Sequence, residues 1–320
     1  MSVKPTIRAV AALAAGLLCI TAAFAQSYPT KPITLIYSTP PGGTFDPISR
    51  VIAAHFEKTL GKPVIVESRA GAGGLVAATY VARTAPADGH TLLVSASHLT
   101  SQLFVKDMPI EIKELTGVSL FGLLPYQLLI SRGMNVRTLK DFVTYAKANP
   151  GKVSLGAVAT GTHEVEIHAL QAALGFSGNV IPFKGIAPIQ LEMVGNRIDA
   201  TLSASNPPQM RTGEIISIAV GGDKRRPGNP DVPTFREQGF VHDPIATFYL
   251  FASAAVPRPI LDRISSEMTV VAKSPEFDAQ ITKVLGIQGV GLSVDQTNQY
   301  LREEYAKLKK IADIAHIVPQ

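Results

Sequence analysis

From residue 33 onward, short apolar runs rich in β-branched residues alternate with longer segments whose apolar positions recur at helical spacing. Residues 33–37 read as a strand, and after a loop a helix is expected over about 47–60, because Ile48, Val51, Ile52 and Phe56 fall on one face. Asp46 stands at the expected N-cap, Pro47 at the first helical position, and Gly61 as the stop. The same order repeats as a strand over 64–66, a loop over 69–74, a helix over 75–83, a turn at Ala87-Asp88-Gly89 and a strand over 91–94. A second series begins near 128–130, with a helix over 139–148, a stop at Asn149-Pro150-Gly151, a strand over 153–156 and a helix reaching about Gly175. It continues with a strand over 180–182, a helix over 188–194, and strands over 200–202 and 215–220. Three helices, over 260–272, 275–285 and 294–315, complete the chain. Strand alternating with helix implies α/β architecture with parallel sheet.

The 320 residues sit where single cores tend to split, so two lobes are expected. The first residues change the picture of compartment. Lys4 and Arg8 form a positive start, residues 9–23 are apolar, and Ala23-Phe24-Ala25 offers a small-residue cleavage site, so a signal peptide over 1–25 and maturation at Gln26 are expected. The run is short for a bilayer-spanning helix, and no later stretch approaches the roughly 20 apolar residues one needs. The single cysteine, Cys19, lies inside that leader after Leu17-Leu18, where a lipoprotein site would want a small residue. The mature chain therefore has no thiol for a disulfide or a thiolate metal site. Its formal charge, +5 with the leader's Lys4 and Arg8 included, is carried by scattered residues without a Lys/Arg block or an aromatic stacking pattern, so nucleic-acid binding is not expected.

Candidate chemistry sits at strand-to-helix junctions. Pro40-Pro41-Gly42-Gly43-Thr44-Phe45-Asp46 lies between the first strand and first helix, where glycines let backbone N–H groups approach a ligand and a helix N-terminus holds a carboxylate without Lys or Arg. Ala70-Gly71-Ala72-Gly73-Gly74 repeats that placement, and Thr160-Gly161-Thr162-His163 repeats it in the second series. In an open parallel sheet such junctions lie beyond the carboxyl ends of the strands and converge on one cleft. Ser95, Ser97 and His98 follow another strand end.

Competing motifs fail. Gly71-Ala72-Gly73 begins like a dinucleotide fingerprint, but Val76 takes the third glycine position, and the first loop lacks the Gly-Lys-Ser/Thr of a phosphate loop. His163 and His168 are five apart, not the four that puts two zinc ligands on one helix face, so no metal is expected. With neither a Gly-x-Ser-x-Gly elbow nor a cysteine nucleophile, covalent hydrolysis lacks its usual carrier, and no cofactor is expected.

These residues resemble the Bug, or TctC-type, substrate-binding proteins of tripartite tricarboxylate transporters. The likeness runs through Tyr28-Pro29-Thr30-Lys31-Pro32-Ile33, then Pro40-Pro41-Gly42-Gly43 with Asp46 and Arg50, then Glu67-Ser68-Arg69-Ala70-Gly71-Ala72-Gly73-Gly74. It continues through Ala85-Pro86, Asp88-Gly89-His90-Thr91-Leu92-Leu93, Pro150-Gly151-Lys152, Pro182-Phe183-Lys184-Gly185 and Asp231-Val232-Pro233-Thr234. The resemblance implies a two-lobed periplasmic binding fold, type II-like, with a ligand cleft between Rossmann-like lobes of parallel or mixed sheet. It implies a first lobe of residues 26–125 and 246–320, a second of 126–245, and two crossings between them. It implies a non-enzymatic receptor that captures a small carboxylate and delivers it to membrane permease subunits; a sensor for a membrane kinase and a secreted carboxylate-acting enzyme are the rival expectations, and monomer is the default state. The ligand-binding residues it suggests are Gly42, Gly43, Thr44, Asp46, Gly73, Gly74, Ser95, Thr160, Gly161 and Thr162, with Lys184 and Ser203 nearby; Ser97 and His163 join them from their loops. Val165 stands where the family often carries histidine, and Ser203 near where it often carries aspartate, which favours a di- or tricarboxylate over an amino acid. The chief role expected of Asp46 is capping.

Overall fold

A computed structural model describes residues 28–96, 107–158, 162–226, 228–240 and 244–314. The expected leader over 1–25 lies outside these described residues. Strands β1 (Ile33–Tyr37), β2 (Val64–Ser68), β3 (Thr91–Ala96) and β4 (Leu115–Pro125) precede β5 (Gln127–Ser131), β6 (Ser154–Val158), β7 (Asn179–Phe183), β8 (Ala200–Ser203) and β9 (Ile215–Val220), and the chain then forms β10 (Ile245–Ser253) and β11 (Gln288–Gly289). Among the described residues they make two sheets, ordered β11-β4-β10-β3-β1-β2 and β7-β6-β8-β5-β9. The helices are α1 (Phe45–Leu60), α2 (Leu75–Thr79), α3 (Leu139–Ala148), α4 (Thr162–Leu174), α5 (Ile186–Val194), α6 (Arg258–Ala272) and α7 (Val294–Ile314). A single turn of wider pitch, Tyr80–Thr84, extends α2, and another, Asp278–Thr282, lies within the helical run over 275–285.

Parallel pairing holds where strand and helix alternate: β1 lies between β2 and β3, with Leu35 opposite both Val66 and Leu92. Such a strand is covered on both faces, which is why Ile33, Leu35, Ile36 and Tyr37 are all buried. The sheets as wholes are mixed, not parallel. β10 enters antiparallel between β3 and β4, and β5 runs antiparallel between β8 and β9. Each sheet has its own apolar core, one around Phe56, Phe121, Phe248 and Phe277, the other around Leu128, Phe142, Leu155 and Phe235.

The chain passes from the first sheet to the second through Tyr126 alone, since β4 ends at Pro125 and β5 begins at Gln127. The return passes beside it: the Tyr126 N–H donates to the Pro244 carbonyl (2.9 Å), and the Gly221 N–H donates to the Tyr126 carbonyl (2.7 Å).

Helix α7 ties the two units a third time. Its first half is fixed to β4, where the Asn298 side chain both accepts from the Gly117 N–H (3.1 Å) and donates to the Gly117 carbonyl (2.8 Å), and Thr297 accepts from the Leu120 N–H. Further along, Leu308 and Ala312 pack on Val165 of α4, which belongs to the second unit.

Candidate ligand-binding cleft

A cavity of about 400 Å³ lies between the two sheets, within the range of small-molecule sites. Its walls come from strand ends of both. Thr39, Thr44 and Phe45 follow β1, Ala96 closes β3, and Leu124 and Phe248 come from the antiparallel pair. From the other unit, Val158 closes β6, Ser203 closes β8, Ser205 follows, and His163 and Glu166 enter from α4; Glu304 and Leu308 come from α7, which touches both units.

The first loop is held from within. Helix α1 begins at Phe45, earlier than the expected Pro47, with Thr44 at the N-cap position and no side-chain cap. Asp46 is therefore not the N-cap; it sits inside the first turn and reaches back. Its Oδ2 accepts from the Gly42 N–H (2.8 Å) and its Oδ1 from Arg50 Nε (2.7 Å). The Gly42 N–H, followed by the Arg50 guanidinium, holds the Asp46 carboxyl below the usual carboxylate range. Gly43 must be glycine on packing grounds, since a Cβ there would lie 2.8 Å from Thr39 Oγ1. That hydroxyl, on the cavity wall, is buried with no hydrogen-bond partner among the described residues.

The other expected residues divide. Thr44, His163 and Ser203 line the cavity; Ser95 is buried beside Ala96 and shares a 2.6 Å hydroxyl contact with Ser38. Gly73 and Gly74, at φ +62° and +100°, serve the tight connection into α2 and are not among the lining residues, nor is the exposed Lys184. Thr162 opens α4, while Ser97, His98, Thr160 and Gly161 lie outside the described residues.

His163 is fully committed. Its Nδ1 accepts from the Val158 N–H (3.0 Å), and the remaining ring nitrogen, Nε2, is left to donate to the Leu202 carbonyl (2.8 Å). Burial holds its pKa below the ordinary histidine value. The unfolded chain takes up a proton near pH ~6.5 where the native ring does not, so stability is full above that pH and declines as pH falls below it. The half-buried His168 is shifted the same way by burial. Melting temperature is therefore expected to drop between neutral and mildly acid pH, and His163→Gln to flatten that slope without removing it; an unchanged slope in the variant would refute the assignment.

The cavity also holds residues that the junction loops do not point to. No Lys or Arg lines it among the described residues, but two carboxylates do, Glu166 and Glu304. Glu304 accepts from Thr247 Oγ1 (3.0 Å) and the Tyr249 hydroxyl (3.1 Å). The Tyr126 hydroxyl is pushed up by burial and then by the charges of Glu166 and Glu304. Glu166 stands three positions after His163, on the same helix face, a spacing visible in the sequence.

The profile of the tripartite tricarboxylate transporter family receptor, TctC, matches residues 48–316. The chain belongs to that family. Protein BugT of Bordetella pertussis is 33% identical over 68% of this chain and 68% of its own length. A Pseudomonas UPF0065 protein from the tcbD-tcbE intergenic region is 28% identical over 89% of this chain and 87% of its own. Among solved structures, R. palustris Rpa4515 with adipate superposes with a TM-score of 0.75 at 26% identity, covering 92% of this chain and all of that one. A TctC solute binding protein from Polaromonas matches in fold, with a TM-score of 0.75 at 22% identity over 89% of this chain and 99% of its own. This TctC chain thus has the two-lobed α/β periplasmic binding protein fold, with the cavity between its two sheets. Among the described residues no group of histidine, cysteine and carboxylate side chains could hold a metal, and no helix is long and apolar enough to cross a membrane.

Proposed function

We propose that this chain is a periplasmic receptor that captures a small carboxylate between its lobes and hands it to the membrane subunits of a tripartite tricarboxylate transporter. The observation that carries the reading is the interlobe cavity at the strand ends in a chain of this receptor family. The expected leader over 1–25 would direct export. A carboxylate would be held by donors that need no Lys or Arg: the N-terminus of α1 at Thr44 and Phe45, the Thr39 hydroxyl, and the hydroxyls of Ser203 and Ser205. The adipate in the Rpa4515 relative supports this ligand class. Closure of the lobes around the solute would bury it and present a joined surface to the permease.

Native mass spectrometry of protein purified without denaturation, followed by thermal shift against citrate, succinate, glutamate, adipate and terephthalate, tests the proposal. Ligand at a hundredfold excess over its dissociation constant stabilises by about 2.7 kcal/mol. A co-purifying small acid or a clear upward shift is the expected result. An empty protein indifferent to every carboxylate would overturn the ligand class.

A further inference from the structure

We infer that the solute carries one carboxylate on an unbroken hydrocarbon body, free of hydroxyl and amino groups. The inference rests on the reading of the cavity as a carboxylate site and specifies what the rest of the ligand must be. The donors of that reading and an apolar floor meet at one residue. Phe45 is the first residue of α1, so its backbone stands at the helix N-terminus, and its ring lies 5.6 Å from that of Phe248. Both line the cavity. A carboxylate held at that N-terminus therefore delivers its carbon skeleton onto the two rings.

From Phe248 the floor continues along β10. Ala246 lies two residues back, on the same face of the strand, and is paired in register with Leu124 of β4. Ala246, Leu124, Ile245 and Leu308 all belong to the cavity wall. The polar groups beside this floor are already engaged. Thr247, between Ala246 and Phe248, donates its hydroxyl to Glu304 (3.0 Å), and both ring nitrogens of His163 are bonded to backbone. A hydroxyl or ammonium on the ligand body would exchange water for hydrocarbon there, at a cost that no new hydrogen bond offsets. Thr39 differs: its hydroxyl, packed where α1 begins, is buried with no partner among the described residues. An unspent donor at one end and hydrocarbon along the floor suit an acid with a single charged end.

Isothermal titration near neutral pH tests this with butyrate, hexanoate and octanoate, beside adipate, 6-hydroxyhexanoate, ε-aminocaproate and hexanol. The expected result is an affinity that rises about three- to fourfold per added methylene, with hexanoate about tenfold or more tighter than each of its ω-substituted counterparts. Ala246→Leu, which raises the floor, is expected to weaken octanoate most and butyrate least. Thr39→Val, which removes the donor, is expected to weaken all three acids by a common factor of about ten, and circular dichroism shows that each variant is folded. Adipate binding as tightly as hexanoate would overturn the single charged end, and 6-hydroxyhexanoate or ε-aminocaproate doing so would overturn the unbroken body; either leaves the carboxylate reading standing. A length dependence that ignores Ala246→Leu would overturn the placing of the body on this floor. Hexanol binding as well as hexanoate would overturn the carboxylate reading itself, as would silence across every acid.

Discussion

Truncating Phe121 to alanine is expected to lower stability by about 3–5 kcal/mol, the range for removing a buried aromatic ring. Phe121 is fully buried on β4. Its ring centroid lies 6.4 Å from that of Phe248 and 6.4 Å from that of Phe277, and Phe248 in turn lies 5.6 Å from Phe45. The loss is therefore not confined to the core. Phe45 and Phe248 form part of the cavity wall, so a vacancy behind them lets both rings shift and weakens ligand binding as well. A denaturation midpoint far below the wild type with an unchanged slope would show a stability effect in the folded state. A loss under about 1 kcal/mol would mean that the neighbouring side chains collapse to fill the gap.

Leu308→Ala is expected to cost about 2–5 kcal/mol and, in addition, to loosen one unit from the other. Leu308 is 2% exposed, and what buries it is Val165 together with Ala312, Tyr305 and Ile311. The first half of α7 stays fixed to β4 by Asn298 and Thr297 whether or not Leu308 is present. The variant should thus show a larger radius of gyration in solution scattering without ligand, and ligand should reverse the increase. Leu301→Ala is the control, since Leu301 packs within the first unit's core and should destabilise without opening. Equal dimensions for Leu308→Ala and the wild type would refute the bridging role of this contact.

How much of this could be read along the chain depends on whether the determining interaction is local. Helix α1 is legible because Ile48, Val51, Ile52 and Phe56 repeat at its period; its start is not, because Phe45 is drawn into the helix by burial against Phe248, a contact made across the sheet. β4 and β10 escape a periodicity reading for a related reason. Both are buried along nearly their whole length, so neither shows the alternation that marks a half-exposed strand. Their antiparallel insertion, which makes the sheets mixed, depends on partners distant in sequence.

The site divides along the same line. Junction glycines advertise the loops, and Thr44, His163 and Ser203 sit in the cavity wall near them. Gly73 and Gly74 carry the same signal for a different cause, a backbone with positive φ. Tyr126, Thr247 and Glu304 look ordinary where they stand in the chain, and only the pairing of β10 with β4 and the course of α7 bring them together. Glu166 is the exception. Its spacing from His163 stands plainly in the sequence, three positions on and two before His168.

The cavity wall draws on residues from Thr39 to Leu308, and this span bears on how the chain folds. Chain entropy must be surrendered before contacts so far apart in sequence can form, so they belong among the later events. Each sheet with its own helices could consolidate first, around its own core. The solute would then find no place to bind until the final helix had docked on both units, and it could act on the finished molecule without steering the search that produces it.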